Sequence, residues 1–146
     1  MGMTTHTDPL EGVPAPTAWP TLRARDSRAL ISFLEQAFGF ATTVVIANDD
    51  EQGTVAHAEL AWPPGGGVML GSVRDMPDDP WPQQPGAAGC YLVCDDPDAL
   101  FARAVAAGAS VLAQPHDTDY GSREFAVRDP EGNLWSLGTY RGQPRH

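Results

Sequence analysis

Basic residues are scarce in this sequence. Its 146 residues include nine lysine or arginine residues against nineteen aspartate or glutamate residues, which gives a formal net charge of −10 and a pI near 4.5. A strongly acidic surface repels a phosphate backbone, so we do not expect nucleic acid as a partner. The same surface favours cationic ligands, although acidity that serves only solubility is the commoner case.

Long apolar segments and paired cysteines are also missing. No stretch approaches the roughly 20 apolar residues of a membrane-spanning helix, and Met1–Pro20 lacks the basic start and apolar run of a signal peptide. Cys90 and Cys94 are the only cysteines, and on one strand they could not form a disulfide without distorting it. We therefore expect reduced thiols, a cytoplasmic location and no membrane contact.

Several common functional motifs are absent as well. The sequence contains no Gly-x-Ser-x-Gly nucleophile elbow and no Cys-x-x-Cys pair. The glycines at 65–67 follow two prolines and precede no helix, so they indicate a hairpin turn and not a phosphate-binding loop.

Two helices are predicted, one in each half of the chain. The first begins after Asp26 and ends at Gly39, with apolar residues at helical spacing between them. The second begins after Asp96, with a proline at its first position, and ends at Gly108. The two capping aspartates are 96 − 26 = 70 residues apart, which indicates an internal repeat.

Strands complete each copy of the repeat. The 70-residue offset aligns Leu22 with Leu92 in the strand before each helix, and three β-rich runs follow each helix. These runs are Thr42–Ala47, Thr54–Ala61 and Gly67–Val73 in the first half, and Ser110–Gln114, Arg123–Arg128 and Asn133–Thr139 in the second.

The pattern predicts an α+β protein made of two tandem βαβββ modules. A module of this size leaves one face of its sheet open, so we expect the two to form a curved, cup-shaped mixed sheet with the helices on the outer face. The expected divisions are a flexible N-terminal extension at 1–18, a first module at 19–73, a proline-rich linker at 74–88, a second module at 89–140 and a C-terminal tail at 141–146.

The most distinctive motif lies in the last predicted hairpin. Residues 129–135 read Asp-Pro-Glu-Gly-Asn-Leu-Trp and lead into Ser136. This hairpin resembles that of the vicinal-oxygen-chelate superfamily, which contains glyoxalase I, extradiol dioxygenases and bleomycin-resistance proteins. The resemblance covers roughly residues 19–140 and implies the same two-module architecture and a homodimer.

The resemblance also implies where a metal ion would bind. Metal-dependent members carry histidine or glutamate at four equivalent positions, which correspond here to Trp19, Met69, Gly89 and Ser136. None of the four offers a carboxylate or an imidazole, so we expect no metal and no other cofactor. In this respect the chain is similar to the metal-free, bleomycin-resistance-like branch.

Alternation along the strands predicts which side chains face the cavity. Leu22 and Ala24 should pack under the helices, which turns their neighbours toward the open face. The predicted ligand-binding residues are Trp19, Arg23, His57, Glu59, Met69, Tyr91, Glu124 and Ser136.

Each group of these residues also has a purely structural interpretation. His57 and Glu59 share a face and could act as base and orienter or bind a relocated metal, but ordinary polar positions are the commoner case. Arg23 and Glu124 could pair across the cavity floor. Trp19, Met69 and Tyr91 could form a stacking platform, or could pack in the core or in a dimer interface.

Three further aromatic residues receive structural interpretations. Trp135 is out of phase with Ser136 and is expected in the core. Trp62 and Trp81 border proline- and glycine-rich loops, where they could be rim contacts or lids, although packing on their own turn is the commoner case.

Three hypotheses for the function remain. The favoured one is a homodimeric binding protein, without catalytic residues, that holds a small and cationic or aromatic molecule in a metal-free cavity. The first alternative is a metal-dependent lyase, isomerase or dioxygenase with a relocated site at His57 and Glu59. The second is a structural or regulatory dimer without a ligand. Ligand identity, and whether each cavity is formed by one chain or two, stay open at this level.

Overall fold

The computed structural model describes residues 10–145, which form two four-stranded sheets with one helix each. The elements of the first unit are β1 Thr21–Ala24, α1 Ser27–Phe38, β2 Ala41–Ala47, β3 Val55–Ala61 and β4 Gly67–Ser72. Those of the second unit are β5 Gly89–Val93, α2 Pro97–Ala106, β6 Ser110–Asp117, β7 Arg123–Arg128 and β8 Leu134–Gly138.

The two sheets have the same topology. The strand order is β1-β4-β3-β2 in the first and β5-β8-β7-β6 in the second, and neither sheet is closed. In each, the first strand runs parallel to the last, with Leu22 opposite Leu70 and Leu92 opposite Leu137, and the remaining pairs are antiparallel. The prediction of an α+β fold with two tandem βαβββ modules is therefore confirmed.

The helix ends follow the predicted capping residues. The Asp26 carboxylate accepts a hydrogen bond from Ala29 N at 3.1 Å, and Gly39 terminates α1 in the left-handed conformation with φ of 88°. Asp96 caps α2 in the same way. Helix α2 ends at Ala106, slightly before Gly108, which has φ of 100°. A left-handed residue closes a helix best when it lacks a side chain, which explains both glycines.

Strand β6 is longer than predicted. It continues to Asp117 through Pro115, with a shift in register between Ala113 and His116. Proline is tolerated here because β6 is an edge strand, where the missing N–H can face away from the sheet.

The hydrophobic core runs continuously through both units. Trp135 from β8 is 1% exposed, and its ring lies 5.3 Å from that of Phe38 and 5.8 Å from that of Phe40. This confirms the expectation that Trp135 is a core residue. Trp62 is 8% exposed and its ring packs on Phe40 at 5.3 Å, which agrees with the packing interpretation of this residue, and it also borders two cavities beside the loop at 64–66.

Arg103 on α2 connects the two helices. Its Nε donates to Gln36 O at 2.6 Å and its Nη2 to Glu35 O at 3.0 Å. Both carbonyls lie in the last turn of α1, where the negative end of the helix dipole favours a cation, and Glu35 O also accepts a hydrogen bond from Gly39 N at 3.0 Å.

The hairpin motif has a structural explanation. The buried Asp129 carboxylate accepts hydrogen bonds from Glu131 N, Asn133 N, Asn133 Nδ2 and Trp135 Nε1, at 2.8 to 3.0 Å. The Glu131 carboxylate in turn accepts from the backbone N–H groups of Arg25 and Asp26 at 2.8 and 3.0 Å. The turn of the second unit is thereby attached to the start of α1.

The segment at 74–88 contains no strand or helix, as its prolines predict. It is nevertheless held in place: Arg74 pairs with Asp79, Asp79 accepts from Trp81 N at 2.8 Å, and Gln83 bonds both the hydroxyl and the carbonyl of Thr21. The segment therefore folds back onto β1.

Within the described part of the chain, none of the helices has the length and apolar character needed to cross a membrane. Cys90 and Cys94 are free thiols, as expected. The expected N-terminal extension falls partly outside the described residues, since 1–9 are not among them.

Candidate functional site

Each sheet carries its helix on one face, and we call the other face the open face. On the first sheet, Leu22 and Leu70 are buried on the helix side, and the alternating positions Thr21, Arg23 and Met69 are half-buried. The open face therefore carries the polar side chains of β1 and β3 together with Met69, as alternation predicts.

Arg23 is the central cation of this face. Its Nη1 lies 2.8 Å from the position that a Cβ at residue 71 would occupy, so the guanidinium crosses Gly71 on the neighbouring strand. Burial lowers the pKa of the guanidinium, nearby Arg74 lowers it further, and Asp79 opposes both effects. Among residues 10–145, no carboxylate lies within ion-pair distance of Arg23.

A shallow cavity of about 250 Å³ surrounds this guanidinium. It is lined by the open face of the first sheet and by two side chains of the 74–88 segment, Trp81 and Gln83. Among the sheet residues that line it are Thr21, Arg23, His57 and Met69. We call this the Arg23 cavity.

His57 and Glu59 form a hydrogen-bonded pair on the same face. His57 Nε2 lies 2.8 Å from Glu59 Oε2, and both side chains are partly exposed. A carboxylate that holds one ring nitrogen fixes the orientation of the imidazole and leaves Nδ1 available to a ligand.

Trp81 and Gln83 were not among the predicted site residues. Trp81 Nε1 donates to Gln83 Oε1 at 3.3 Å, and Gln83 Nε2 donates to Thr21 O at 2.8 Å, so the two side chains form a wall beside β1. The rim position considered for Trp81 agrees with its location, since it is 53% exposed and borders the Arg23 cavity. The sequence offered one indication of their role: a tryptophan and a glutamine side chain lie in a proline-rich segment that cannot join a sheet and can therefore border a cavity.

Trp19 lies at a separate place on the first sheet. Its indole N–H donates to Pro16 O at 3.1 Å, and its ring lies over Gly67, 2.7 Å from the position of a Cβ there. With residues 10–16 and Glu59 it lines a second cavity of about 190 Å³.

The second sheet has a different open face. Glu124 accepts a hydrogen bond from the Tyr120 hydroxyl at 2.7 Å, which raises the pKa of Tyr120. Burial raises the pKa of Tyr91, and the charge of Glu124 adds to that effect. The Tyr91 hydroxyl donates to Tyr140 O at 2.6 Å, and Gly138 leaves the space that Glu124 and Tyr91 occupy. The surroundings of Glu124 on this face are therefore rich in tyrosine.

Two more cavities border the second sheet. Ser136 lies with Leu112, Ala126 and Leu134 around an apolar cavity of about 330 Å³. Tyr91 contributes to a larger cleft of about 470 Å³ between β5 and the loop at 64–68. The larger cleft has few charged groups: Arg141 is paired with Asp95 at 2.7 Å, and burial raises the pKa of Cys90 to about 11.

Two possible contacts between the predicted site residues do not form within the single chain. Arg23 and Glu124 do not pair, because Arg23 lies on the first sheet and Glu124 bonds Tyr120 on the second. Trp19, Met69 and Tyr91 do not form one platform, because each lines a different cavity. Of the eight predicted residues, the structure brings together Arg23, His57 and Met69, with Glu59 attached through His57.

The four positions at which the resemblance places a metal ion do not fit one. They hold an indole, a thioether, a glycine without a side chain and a hydroxyl, at Trp19, Met69, Gly89 and Ser136. Elsewhere in residues 10–145, no three histidine, cysteine, aspartate or glutamate side chains are grouped so that they could hold a metal ion. We therefore derive no chemistry through a metal.

Comparison with known proteins agrees with this fold. The family model of the Glyoxalase/Bleomycin resistance protein/Dioxygenase superfamily matches residues 17–137. The chain is similar to the uncharacterized protein Rv0887c of Mycobacterium tuberculosis, with 30% identity over 135 residues that cover 84% of this chain and 74% of that protein.

Solved structures give the same result. TioX from Micromonospora sp. ML1 superposes with a TM-score of 0.63 at 27% identity, over 83% of this chain and 97% of that one. A glyoxalase/bleomycin resistance protein/dioxygenase family enzyme from Burkholderia phytofirmans PsJN superposes with a TM-score of 0.60 at 18% identity, over 82% of this chain and 94% of that one. The second likeness shows the fold alone.

Proposed function

Because this chain belongs to the glyoxalase/bleomycin resistance protein/dioxygenase superfamily, we propose that it binds a small organic molecule on the open face of its first sheet, without a metal ion and without catalysis. The observation that carries the proposal is the Arg23 cavity. It brings together the Arg23 guanidinium, which has no ion-pair partner among residues 10–145, the imidazole of His57, the thioether of Met69 and the indole of Trp81, and Glu59 holds the imidazole from the neighbouring position. A few polar groups among apolar walls are typical of small-molecule sites.

Trp81 supplies the apolar wall in this proposal. A planar ring can stack on an indole, which is rigid and apolar on its face. Gln83 holds the segment against β1, and Asp79 accepts a hydrogen bond from the backbone N–H of Trp81. Trp81 is therefore positioned before a ligand arrives, which reduces the entropy lost on binding. We therefore expect an aromatic or otherwise flat ligand. We also propose a cytoplasmic location for the protein.

The assembly is part of the proposal. The open faces expose large apolar side chains that a single chain leaves uncovered, among them Ile46 on the first sheet and Tyr91, Leu112 and Leu134 on the second. Exposed apolar groups of this kind mark interaction surfaces. We propose a homodimer that covers these faces, as the family resemblance suggested.

Nuclear magnetic resonance tests the binding proposal directly. A set of small aromatic compounds is titrated into the ¹⁵N-labelled full chain, and we expect shift changes concentrated at β1, β3, β4 and residues 79–83. Replacing Trp81 with alanine should weaken binding by about tenfold, since stacking on an aromatic ring contributes about 1 kcal/mol or more. Met76→Ala is the matched control, because Met76 is exposed on the same segment but does not line the cavity. Shifts that map elsewhere, or no binding at all, would contradict the proposal.

One observation favours a second candidate, a lyase, isomerase or dioxygenase with a relocated site. The 2.8 Å contact between His57 Nε2 and Glu59 is the arrangement that orients a histidine as a general base. The test is conversion of a bound compound over a day, followed by proton spectra, in wild type and in His57→Gln. Turnover that His57→Gln abolishes would support this candidate.

Metal content is measured separately, by elemental analysis of protein purified without nickel resin. Stoichiometric metal that is lost on chelation together with activity would overturn the metal-free proposal.

A further inference from the structure

The charge inside the Arg23 cavity is opposite to that of the protein as a whole. The chain carries a net charge of −10, yet the ionisable side chains that line this cavity are Arg23 and His57. The nearest linker charges, Arg74 and Asp79, neutralise one another by pairing. Glu59, which holds Nε2 of His57, lines the neighbouring cavity beside Trp19 and not this one. Among the described residues that line the Arg23 cavity, Arg23 is therefore the one permanently charged group, and it is positive.

From this arrangement we propose that the cavity recognises a carboxylate, and that the ligand is a small aromatic carboxylic acid with its acid group on Arg23 and its ring against Trp81. The inference rests on the proposed function and names its ligand class. A partly buried guanidinium without a carboxylate partner lacks the planar, bidentate acceptor that its donors match best. The acid group of a ligand supplies that acceptor.

The floor of the cavity is shaped for this contact. The guanidinium lies across Gly71, where any side chain would meet Nη1 at 2.8 Å and Ala56 O at 2.9 Å. The missing side chain leaves room for the Arg23 guanidinium beside Gly71, and both residues line the cavity. His57 lines the same cavity, and Glu59 holds its Nε2, so its Nδ1 is the ring atom left for the ligand.

The size of the cavity limits the ligand. A volume of about 250 Å³ lies just under the range of about 300–1,000 Å³ that is usual for small-molecule sites. One ring with a short acid side chain suits this volume better than a large drug-like molecule. Glu124, with its tyrosine-rich surroundings, lies on the other sheet and does not oppose the carboxylate within the cavity.

Matched acid and amide pairs test the inference. The probes are benzoate, phenylacetate and indole-3-acetate, each beside its primary amide, titrated into the full chain and followed by amide and arginine Nε–H resonances. We expect each acid to bind at least about tenfold tighter than its amide, because hydrogen bonds between charged groups are about twice as strong as neutral ones. The Arg23 Nε–H resonance should shift with the acids only.

Substitutions of Arg23 test whether this side chain causes the preference for acids over amides. Arg23→Gln should remove the preference for the acid, and Arg23→Lys should reduce it, since lysine keeps the charge but not the planar fork. Arg128→Gln is the control: it removes the same charge from the second sheet and should preserve the preference. Native-like amide spectra confirm that each variant is folded.

The outcomes separate the two proposals. If acids and amides bind equally well at the first sheet, or if the preference survives in Arg23→Gln, the carboxylate inference is wrong and the binding function stands. If none of the six probes shifts any resonance of the first sheet, both are overturned.

Discussion

The Arg23 guanidinium crosses Gly71 at a distance that leaves no room for a side chain. Nη1 is 2.8 Å from the position of a Cβ at residue 71, and Ala56 O is 2.9 Å from it. The second sheet repeats the arrangement at Gly138, where Glu124 and Tyr91 occupy the space. Two glycines at matching strand positions thus give each open face its long polar side chain, a cation on one sheet and an anion on the other.

Gly71→Ala is expected to destabilise the protein by about 1–3 kcal/mol, because the new methyl group clashes with the backbone carbonyl of Ala56 as well as with Arg23. Urea denaturation followed by circular dichroism measures the loss. Gly138→Ala should cost less, since the atoms it meets belong to movable side chains. Gly89→Ala is the control, with no atom closer than 3.9 Å, and should change stability by less than about 0.5 kcal/mol. Equal stability of all three variants would show that neither Ala56 O nor the Arg23 guanidinium lies this close to residue 71.

Asp129→Asn should lower the free energy of unfolding by about 2–4 kcal/mol, because an amide oxygen and an NH₂ group replace a buried carboxylate that accepts four hydrogen bonds. The NH₂ group would face N–H donors. Chemical denaturation gives the value, and Asp119→Asn, on an exposed loop, should stay within about 0.5 kcal/mol of wild type. A small effect at Asp129 would mean that the turn does not depend on this carboxylate.

Both thiols should resist alkylation while the protein is folded. Burial raises the pKa of Cys90 to about 11, helped by the charge of Asp129, and raises that of Cys94 to about 11, helped by Asp95 and Asp96. At pH 8 only about one thiol in a thousand is then ionised, and the thiolate is the reactive form. Mass spectrometry after iodoacetamide should show almost no adduct in native protein and two adducts in urea. Rapid labelling of either cysteine in the folded protein would show that its thiol is not buried.

The same shifts predict loss of stability at high pH. A thiol whose pKa is higher in the folded state than its ordinary value of 9.0 favours folding below pH 9, and that contribution disappears as the pH rises toward 11. The denaturation midpoint should therefore fall between pH 9 and pH 11. Replacing both cysteines with alanine should make this fall shallower, and an unchanged slope would assign the effect to other groups.

Light scattering should give a mass of about twice 15.6 kDa at micromolar concentration. Leu112→Glu should shift the equilibrium toward the monomer, because Leu112 is 48% exposed on the open face of the second sheet and a charge there opposes burial. Gln114→Glu adds the same charge to the same strand at an exposed polar position and should leave the mass unchanged. A wild-type monomer would rule out the homodimer.

Local patterns were sufficient to predict most of the fold. Capping aspartates, terminal glycines and alternation each depend on neighbours within a few residues, so Asp26, Gly39 and Asp96 marked their helix ends correctly. Trp62 shows the same local control. It is in phase with the buried Leu60, which accounts for its burial, although the prolines and glycines that follow it also allowed a rim position.

The site was harder to predict, because its composition depends on contacts between distant segments. Alternation placed Arg23 and His57 on the cavity side, and the alignment of the two repeats added Met69. Neither could show that the 74–88 segment returns to β1 through Gln83 and adds Trp81. Alternation also could not show that four of the predicted residues lie away from this cavity, namely Trp19, Tyr91, Glu124 and Ser136. Strand periodicity gives the face of a residue and not its position along the face or relative to another sheet.

The contact of Arg103 with the end of α1 bears on the history of the repeat. Half of a duplicated chain can drift independently only while each copy folds by itself, yet here the last turn of the first helix has its acceptors filled by a side chain of the other copy. Phe38 and Phe40 likewise pack on Trp135 of that copy. Each copy thus completes part of the other's packing, so we expect a substitution at this junction to require compensation on the opposite side of it.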